Sequence, residues 1–267
     1  TVNQPSVAGS ISGATAVCPG TNSTLLTLSG ATGTTYQWQS ASTLNGTYSN
    51  VPSGGTGTTY TAANLSTTTY YQVVVKNGVC ASVTTSPVTM TVYPAAVGGT
   101  ITGGDTVCVG AVYVTLNLSG YTGTVTRWES STVSDFSSNV TQISNTTSSY
   151  TASNLTQTTY YRVLVTNSSC TAYSTTATVT VSSAANGGTT SGNVTICTGT
   201  NTTLSVSGVT GTIQWQSSTT SAAAGFTNIS AATSATYTAT NRTIKTYYRA
   251  VVTNGECAAA NSSVDSV

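Results

Sequence analysis

Histidine is absent from the 267 residues, and charge is scarce: five Asp and Glu and six Lys and Arg make 4% of the chain, against about 25% in an ordinary soluble domain. Without histidine, Ser-His-Asp and Cys-His catalysis are excluded. The acids are Asp105, Glu129, Asp135, Glu256 and Asp265. They share no recurring position, so a carboxylate pair for glycoside hydrolysis would have to be gathered from distant segments. The chain is therefore not expected to be an enzyme. A net charge of +1 with no Lys/Arg cluster offers no footprint for nucleic acid or an anionic membrane surface. No apolar run approaches the roughly 18 residues of a membrane span, and no basic-then-apolar leader opens the sequence. Cys-x-x-Cys spacing is missing too, and Asp105 stands nearly alone where calcium would need several carboxylates. No metal and no cofactor are expected.

What is present is Ser and Thr, at 99 of the 267 positions, with 38% hydrophobic residues in alternating Val, Leu and Tyr patterns. The surface is polar without being ionic, and enough apolar residues remain for a core, against a disordered stalk. One unit occurs three times. Cys18, Trp38, Tyr70-Tyr71 and Cys80 return as Cys108, Trp128, Tyr160-Tyr161 and Cys170, then as Cys197, Trp215, Tyr247-Tyr248 and Cys257. The interval from Trp to the second Tyr is 33 each time, whereas that from the first Cys to Trp is 20, 20 and 18. Length changes fall in loops, as packing requires.

Short alternating segments between Gly, Asn, Ser and Thr clusters specify an all-β fold of three tandem immunoglobulin-like β-sandwich repeats forming an elongated rod. The repeats are expected at 1–94, with the end of a preceding repeat at 1–5, then at 95–183 and at 184–267, with the last strand truncated. Both termini look like cuts through a longer array. In the first repeat, strands are expected near Gly9–Ser12, Thr24–Ser29, Thr35–Ser40, Thr59–Ala62, Thr69–Lys76 and Val88–Tyr93, with a weak one near Tyr48–Val51. Asn77-Gly78 and Asn254-Gly255 predict hairpins in which both residues take positive φ; Asn167-Ser168 stands in that place in the second repeat. Alternation turns Trp38, Trp128, Trp215, Tyr71, Tyr161 and Tyr248 inward and their neighbours, including Arg127 and Glu129, toward water. The short connections 94–99 and 182–188 make successive repeats nearly touch.

Six cysteines in a chain of secreted composition predict three disulfides. One solution joins Cys18 to Cys80, Cys108 to Cys170 and Cys197 to Cys257, inside each repeat. An immunoglobulin-type topology, however, puts the two cysteines of a repeat at opposite ends, too far apart for a bridge. The alternative joins Cys18 to Cys170 and Cys108 to Cys257, between repeats; free thiols are the third possibility. Gly54-Gly55, Gly103-Gly104 and Gly187-Gly188 lie in turns or linkers, with no following helix to hold a phosphate. Tyr48, Tyr113 and Tyr121 recur in no fixed place and would be the candidates for a sugar-binding platform. Thr- and Val-rich edge strands with almost no charge leave sideways association between copies open.

The segments Val17-Cys-Pro-Gly20, Tyr36-Gln-Trp-Gln39, Thr68-Thr-Tyr-Tyr-Gln-Val-Val-Val75, Asn77-Gly-Val-Cys80 and Val88-Thr-Met-Thr-Val92 resemble the immunoglobulin-like tandem repeats of giant Bacteroidota cell-surface adhesins, the SprB-type gliding adhesin and related type 9 secretion cargo. The likeness runs through all three repeats. It implies an extracellular, cell-surface location and a structural stalk that gives reach and stiffness for attachment or gliding, partnered by neighbouring repeats of the same long chain. The alternatives are an adhesive module that binds glycans or copies of itself, and the stalk of a secreted multidomain enzyme. The resemblance also implies O-linked glycans where Asp precedes Ser or Thr and an apolar residue, which puts forward Thr106 and Ser266. Asn-x-Ser/Thr triplets at Asn22, Asn64 and Asn154 are attributed to Ser/Thr abundance. The third repeat departs from the pattern: Asn241-Arg-Thr-Ile replaces Asn64-Leu-Ser-Thr, so its loop is expected to pack differently.

Overall fold

The computed structural model describes residues 2–110 and 113–267; Thr1, where the remnant strand was expected to start, lies outside them. Among the described residues all of the regular structure is β. The chain divides into two compact units, one of Thr1–Thr100 with Gly120–Arg127 and Val163–Thr175, the other of Ile101–Ser119, Trp128–Arg162 and Thr176–Val267. The division passes through the second repeat, whose hairpin at 163–175 groups with the first.

In the first unit, one sheet has Ser23–Ser29 between Ser10–Ser12 and Thr59–Ala63. The other runs Ala16–Val17, Val88–Val92, Thr69–Lys76, Thr35–Ala41 and Ser49–Asn50, with Val83–Thr84 also paired to Thr69–Lys76. Alternation of β-branched and aromatic residues with polar ones makes these strands, because one face can be buried while the other stays wet. The buried face supplies Leu26, Trp38, Ala62, Tyr71, Val73, Val75 and Met90. The hairpin from the second repeat pairs residues 164–167 with Cys170–Tyr173 in antiparallel register.

The second unit repeats the plan. Thr189–Ser191, Thr202–Ser207 and Thr236–Ala239 form one sheet of the third repeat; Thr227–Asn228, Thr212–Ser218 and Tyr247–Thr253 form the other, with Ala260–Asn261 and Asp265–Ser266 on the free side of Tyr247–Thr253. Leu204, Trp215, Tyr248, Ala250 and Val252 fill its core. Trp128, Leu116, Tyr161 and Val179 are buried in the same unit.

The three tryptophans are fully buried and each indole N–H is satisfied: Trp38 donates to the Gly57 carbonyl at 2.9 Å, Trp128 to Thr147 at 2.9 Å and Trp215 to Ser234 at 2.8 Å. Each also begins a column of rings. Tyr60 lies 5.7 Å from Trp38 and 5.5 Å from Tyr71, and Tyr150 and Tyr237 take the same place in the other repeats, within the range where offset aromatic pairs attract. Hydroxyls complete the strands: Thr85 Oγ1 accepts from the Val73 N–H at 3.0 Å, Ser174 Oγ from Val163 at 2.9 Å and Ser262 Oγ from Ala250 at 2.7 Å. A side chain thus stands in for a ladder carbonyl where the last strand is interrupted.

Three expectations change. Each sandwich has short strands that the sequence pattern does not show, Ala16–Val17 and Val83–Thr84 in the first repeat. Glu129 does not face water: it is 1% exposed and accepts from Arg162 Nε at 2.8 Å, with the guanidinium 4.1 Å above the Phe136 ring. Burial is permitted because the charge is paired and capped. The corresponding cross-strand pairs are Gln39–Gln72 at 3.0 Å and Gln216–Arg249 at 2.8 Å. In the hairpins, Gly78, Ser168 and Gly255 take positive φ, but the asparagine before each does not; Cys80 N–H bonds back to the Asn77 carbonyl, a longer turn than a two-residue loop. Finally, Asn64, Asn154 and Asn241 share a left-handed backbone with φ of 54°, 54° and 50°, which asparagine tolerates well. Asn22 binds the Cys18 and Leu65 carbonyls and the Leu65 N–H. The loop of the third repeat is remade as its sequence suggests: Leu65 packs against the first core, whereas Arg242 reaches the Tyr248 hydroxyl at 3.3 Å.

Replacing Trp215 by Leu should cost the third repeat about 3–5 kcal/mol, through lost ring contacts and a Ser234 carbonyl left without its indole donor; urea unfolding followed by circular dichroism would show it, and an unmoved midpoint would contradict this account of the core. Burial, with the neighbouring Tyr60 and Tyr150, pushes the Tyr71 and Tyr161 phenols up to about 12. The folded state keeps these protons while an unfolded tyrosine loses its own near 10. Their contribution is therefore complete below pH 10 and lost between 10 and about 12. Urea midpoints of thiol-alkylated protein should fall over that interval and be flat from pH 7 to 9.

Candidate functional site

The segment after the first strand decides where each cysteine lies. Having left the small sheet, residues 16–17 pair parallel with Thr91 and Val92 of the last strand, and Thr106, Val107 and Cys108 pair parallel with Thr180, Val181 and Ser182. Parallel pairing carries the first cysteine to the end from which the chain leaves the sandwich. The second cysteine sits at the other end, on the hairpin that holds the incoming linker. Asn77 Nδ2 donates to the Gln4 carbonyl at 2.8 Å, Asn167 to Ala95 at 3.2 Å and Asn254 to Ser183 at 2.8 Å. Gly98 and Gly187 permit this docking: a Cβ there would stand 1.9 Å from the Tyr173 carbonyl oxygen and 2.0 Å from that of Asn261.

The exit end of one repeat and the entry end of the next are bonded. Cys18 joins Cys170 with 5.5 Å between Cα atoms, and Cys108 joins Cys257 at 4.8 Å, both inside the 4.4–6.8 Å that a bridge spans. The first lies wholly in the first unit and the second wholly in the second. The intra-repeat pairs Cys18–Cys80, Cys108–Cys170 and Cys197–Cys257 do not form, because the two members occupy opposite ends of a sandwich. Nor are there three bridges: Cys80 and Cys197 are free. Closing loops with sequence separations of 152 and 149, each staple is worth about 5 kcal/mol on the chain-entropy account.

The other residues put forward from sequence are dispersed. Thr106 is half-buried in its short strand, its N–H bonded to Asp105 Oδ1 at 2.8 Å, and Ser266 is half-buried with its hydroxyl on Asn193 at 3.1 Å. Tyr113 is exposed; Tyr48 and Tyr121 are half-buried, and the Tyr48 hydroxyl donates to the Leu44 carbonyl at 3.1 Å. Among the described residues no group of three His, Cys, Asp or Glu could hold a metal ion, and no helix is long and apolar enough to cross a membrane. What the sequence hid was the switch segment, two or three residues long. A hydrophobic Val17, Val107 or Ile196 immediately before the first cysteine was its one trace.

A family described as a domain of unknown function (DUF8696) matches three times, over residues 7–94, 97–183 and 186–267. The chain belongs to that family. Each DUF8696 repeat is thus one sandwich with one cysteine at either end. Among curated proteins none matches the chain. Solved structures similar to the chain include the FN1–FN3 domains of chicken CNTN1, with 14% identity, TM-score 0.35 and coverage of 98% of this chain and 97% of that one. Domains A168–A170 of titin give 14%, 0.43 and 96% of both chains. The three N-terminal domains of the bacteriophage RB49 highly immunogenic outer capsid protein Hoc give 12%, 0.40, and 96% and 95%.

With no disulfide inside a DUF8696 repeat, reduction should leave each sandwich folded. A phosphine reductant is expected to preserve the β circular dichroism signal and tryptophan burial while exposing the linkers at 93–99 and 183–188 to protease. Collapse of that signal on reduction alone would mean that the staples hold the cores and not the joints.

Proposed function

We propose that the chain is a structural stalk segment of a secreted cell-surface adhesin or filament, giving reach and stiffness for attachment or gliding. The observation that carries this reading is the placement of both disulfides across joints. A linker alone leaves two repeats free to bend and twist; a second covalent connection at the same joint removes most of that freedom. An isolated binding module has no need of such staples. The absence of histidine and the scattered acids support a non-catalytic role, and the near-absence of charge supports partners other than nucleic acid. Disulfides support an oxidising, extracellular location. The motif resemblance to Bacteroidota adhesins supports a bacterial surface, with neighbouring repeats of the same long chain as the first partners.

Pulling single molecules from both ends tests the mechanical role. With the staples intact the taut path runs through residues 1–18, back along 170–108 and out through 257–267, so the unfolded length should be on the order of 300 Å; after reduction the whole chain extends to roughly 900 Å. Equal lengths in the two states would remove the load-bearing role, and saturable binding of a defined glycan by this chain would favour an adhesive module instead.

A further inference from the structure

The two staples are alike in access and unlike in charge. In each, the cysteine that follows the switch segment, Cys18 or Cys108, is half-buried, and its partner on the hairpin, Cys170 or Cys257, is 4% or 7% exposed. A thiol from solvent therefore meets the first cysteine of either pair. The surroundings differ. The first unit, which holds Cys18–Cys170 whole, contains Lys76 and Arg127 but no Asp or Glu. The second, which holds Cys108–Cys257, contains all five acids together with four Lys and Arg.

Two of those acids stand at the staple itself. Asp105, Thr106, Val107, Cys108 and Glu256 line one open cleft of about 430 Å³. Asp105 is fixed by the parallel pairing: its carbonyl accepts from the Thr180 N–H at 2.9 Å, and its Oδ1 accepts from the Thr106 N–H at 2.8 Å. Glu256 precedes Cys257 on the hairpin and enters the cleft from the next repeat. Both side chains are exposed, and neither has an ion-pair partner among the described residues. The corresponding residues at the first staple are Thr15 and Ser169, and neither 15–20 nor 167–172 contains an acidic or basic residue.

We infer that this difference in charge sets an order of opening: a small anionic thiol reduces Cys18–Cys170 before Cys108–Cys257, so the joint of the first two repeats loses its staple while that of the last two remains cross-linked. A thiolate attacks the sulfur of Cys18 or Cys108, the disulfide bond breaks, and Cys170 or Cys257 leaves as a thiolate that takes a proton from water. A second small thiolate then attacks the small-molecule sulfur of the mixed disulfide and frees the first cysteine. Two protein thiols form as two small thiols are oxidised to one disulfide. At Cys108 the attacking anion approaches two carboxylates and is slowed; at Cys18 it meets none. The handicap is about fivefold at ~0.01 M salt, where charges act over ~30 Å, and small at ~1 M, where they act over ~3 Å. The order is independent of the stalk role, since an adhesive array with these staples would open in the same sequence.

The test uses the whole chain with Cys80 and Cys197 alkylated beforehand, so that neither free thiol can exchange. At low salt it is treated with glutathione, 2-mercaptoethanol or cysteamine, whose thiolates are doubly negative, singly negative and uncharged overall. New thiols are then assigned to each cysteine by alkylation and peptide mass. The rate for Cys18–Cys170 should exceed that for Cys108–Cys257 about fivefold with glutathione. The ratio should fall along the series and shrink for every thiol at ~1 M salt. Asp105→Asn combined with Glu256→Gln, which keeps the acceptor for the Thr106 N–H, should bring the glutathione ratio down to the cysteamine value; if that variant does not fold, the thiol series on the wild type decides alone. One ratio for all the thiols, or Cys108–Cys257 opening first with glutathione, would overturn the inference, as would a folded double variant whose ratio is unchanged.

Discussion

Parallel pairing between a two- or three-residue switch segment and the last strand of the same sandwich is the contact on which the rest depends. If the first strand stayed in the small sheet, the first cysteine would have no fixed place at the exit end. Because residues 16–17 and 106–108 cross over and lie along Thr91–Val92 and Thr180–Ser182, the cysteine that follows meets the hairpin of the next repeat. The hairpin is aimed by a second constraint, the asparagine that holds the linker, and by glycines that let the two backbones touch. Both cysteines of a staple are thus set by backbone pairing, before any sulfur chemistry.

The folding of each repeat and the covalent linking of repeats are thereby separated. Each core needs only its Trp, its column of tyrosines and its Val and Leu residues, all from one repeat. The staples act outside the cores, between elements that are already folded. The low charge follows the same economy: at the paired position beside the core tryptophan the repeats use Gln39–Gln72, Glu129–Arg162 and Gln216–Arg249. A neutral amide pair at that place shows that ionisation is not required. A buried ion pair gives back in desolvation much of what it gains in attraction. Hydroxyls carry the remaining polar work, and three of them replace missing ladder carbonyls. An array built this way owes little to ionic strength.

Strong periodicity was legible in the sequence and weak periodicity was not. Trp38, Tyr71 and Val73 sit in strands long enough to alternate, and their inward direction follows from spacing. The switch segment is too short to alternate, so the entry and exit ends had to be inferred from topology, and within-repeat and between-repeat pairing stood as alternatives. Glu129 shows a different gap. Alternation assigned it to the wet face, but Phe136, from a loop whose position no pattern gives, covers Arg162 and closes the site. Asn64, Asn154 and Asn241 look like part of a polar background, yet they mark a left-handed turn, a role visible only once the dihedral is known.

The staples also determine how a tensile load would travel. Cys18 is near the start of its repeat and Cys170 near the end of the next, so the bridge bypasses most of both sandwiches; Cys108–Cys257 does the same one repeat later, and the two spans overlap between residues 108 and 170. Overlap means that no repeat joint in this stretch rests on a single backbone strand. An intra-repeat disulfide would protect each domain from unravelling but leave every linker as the weak point. The observed connectivity reverses that choice, placing covalent redundancy at the joints and leaving the sandwiches to be held by packing alone.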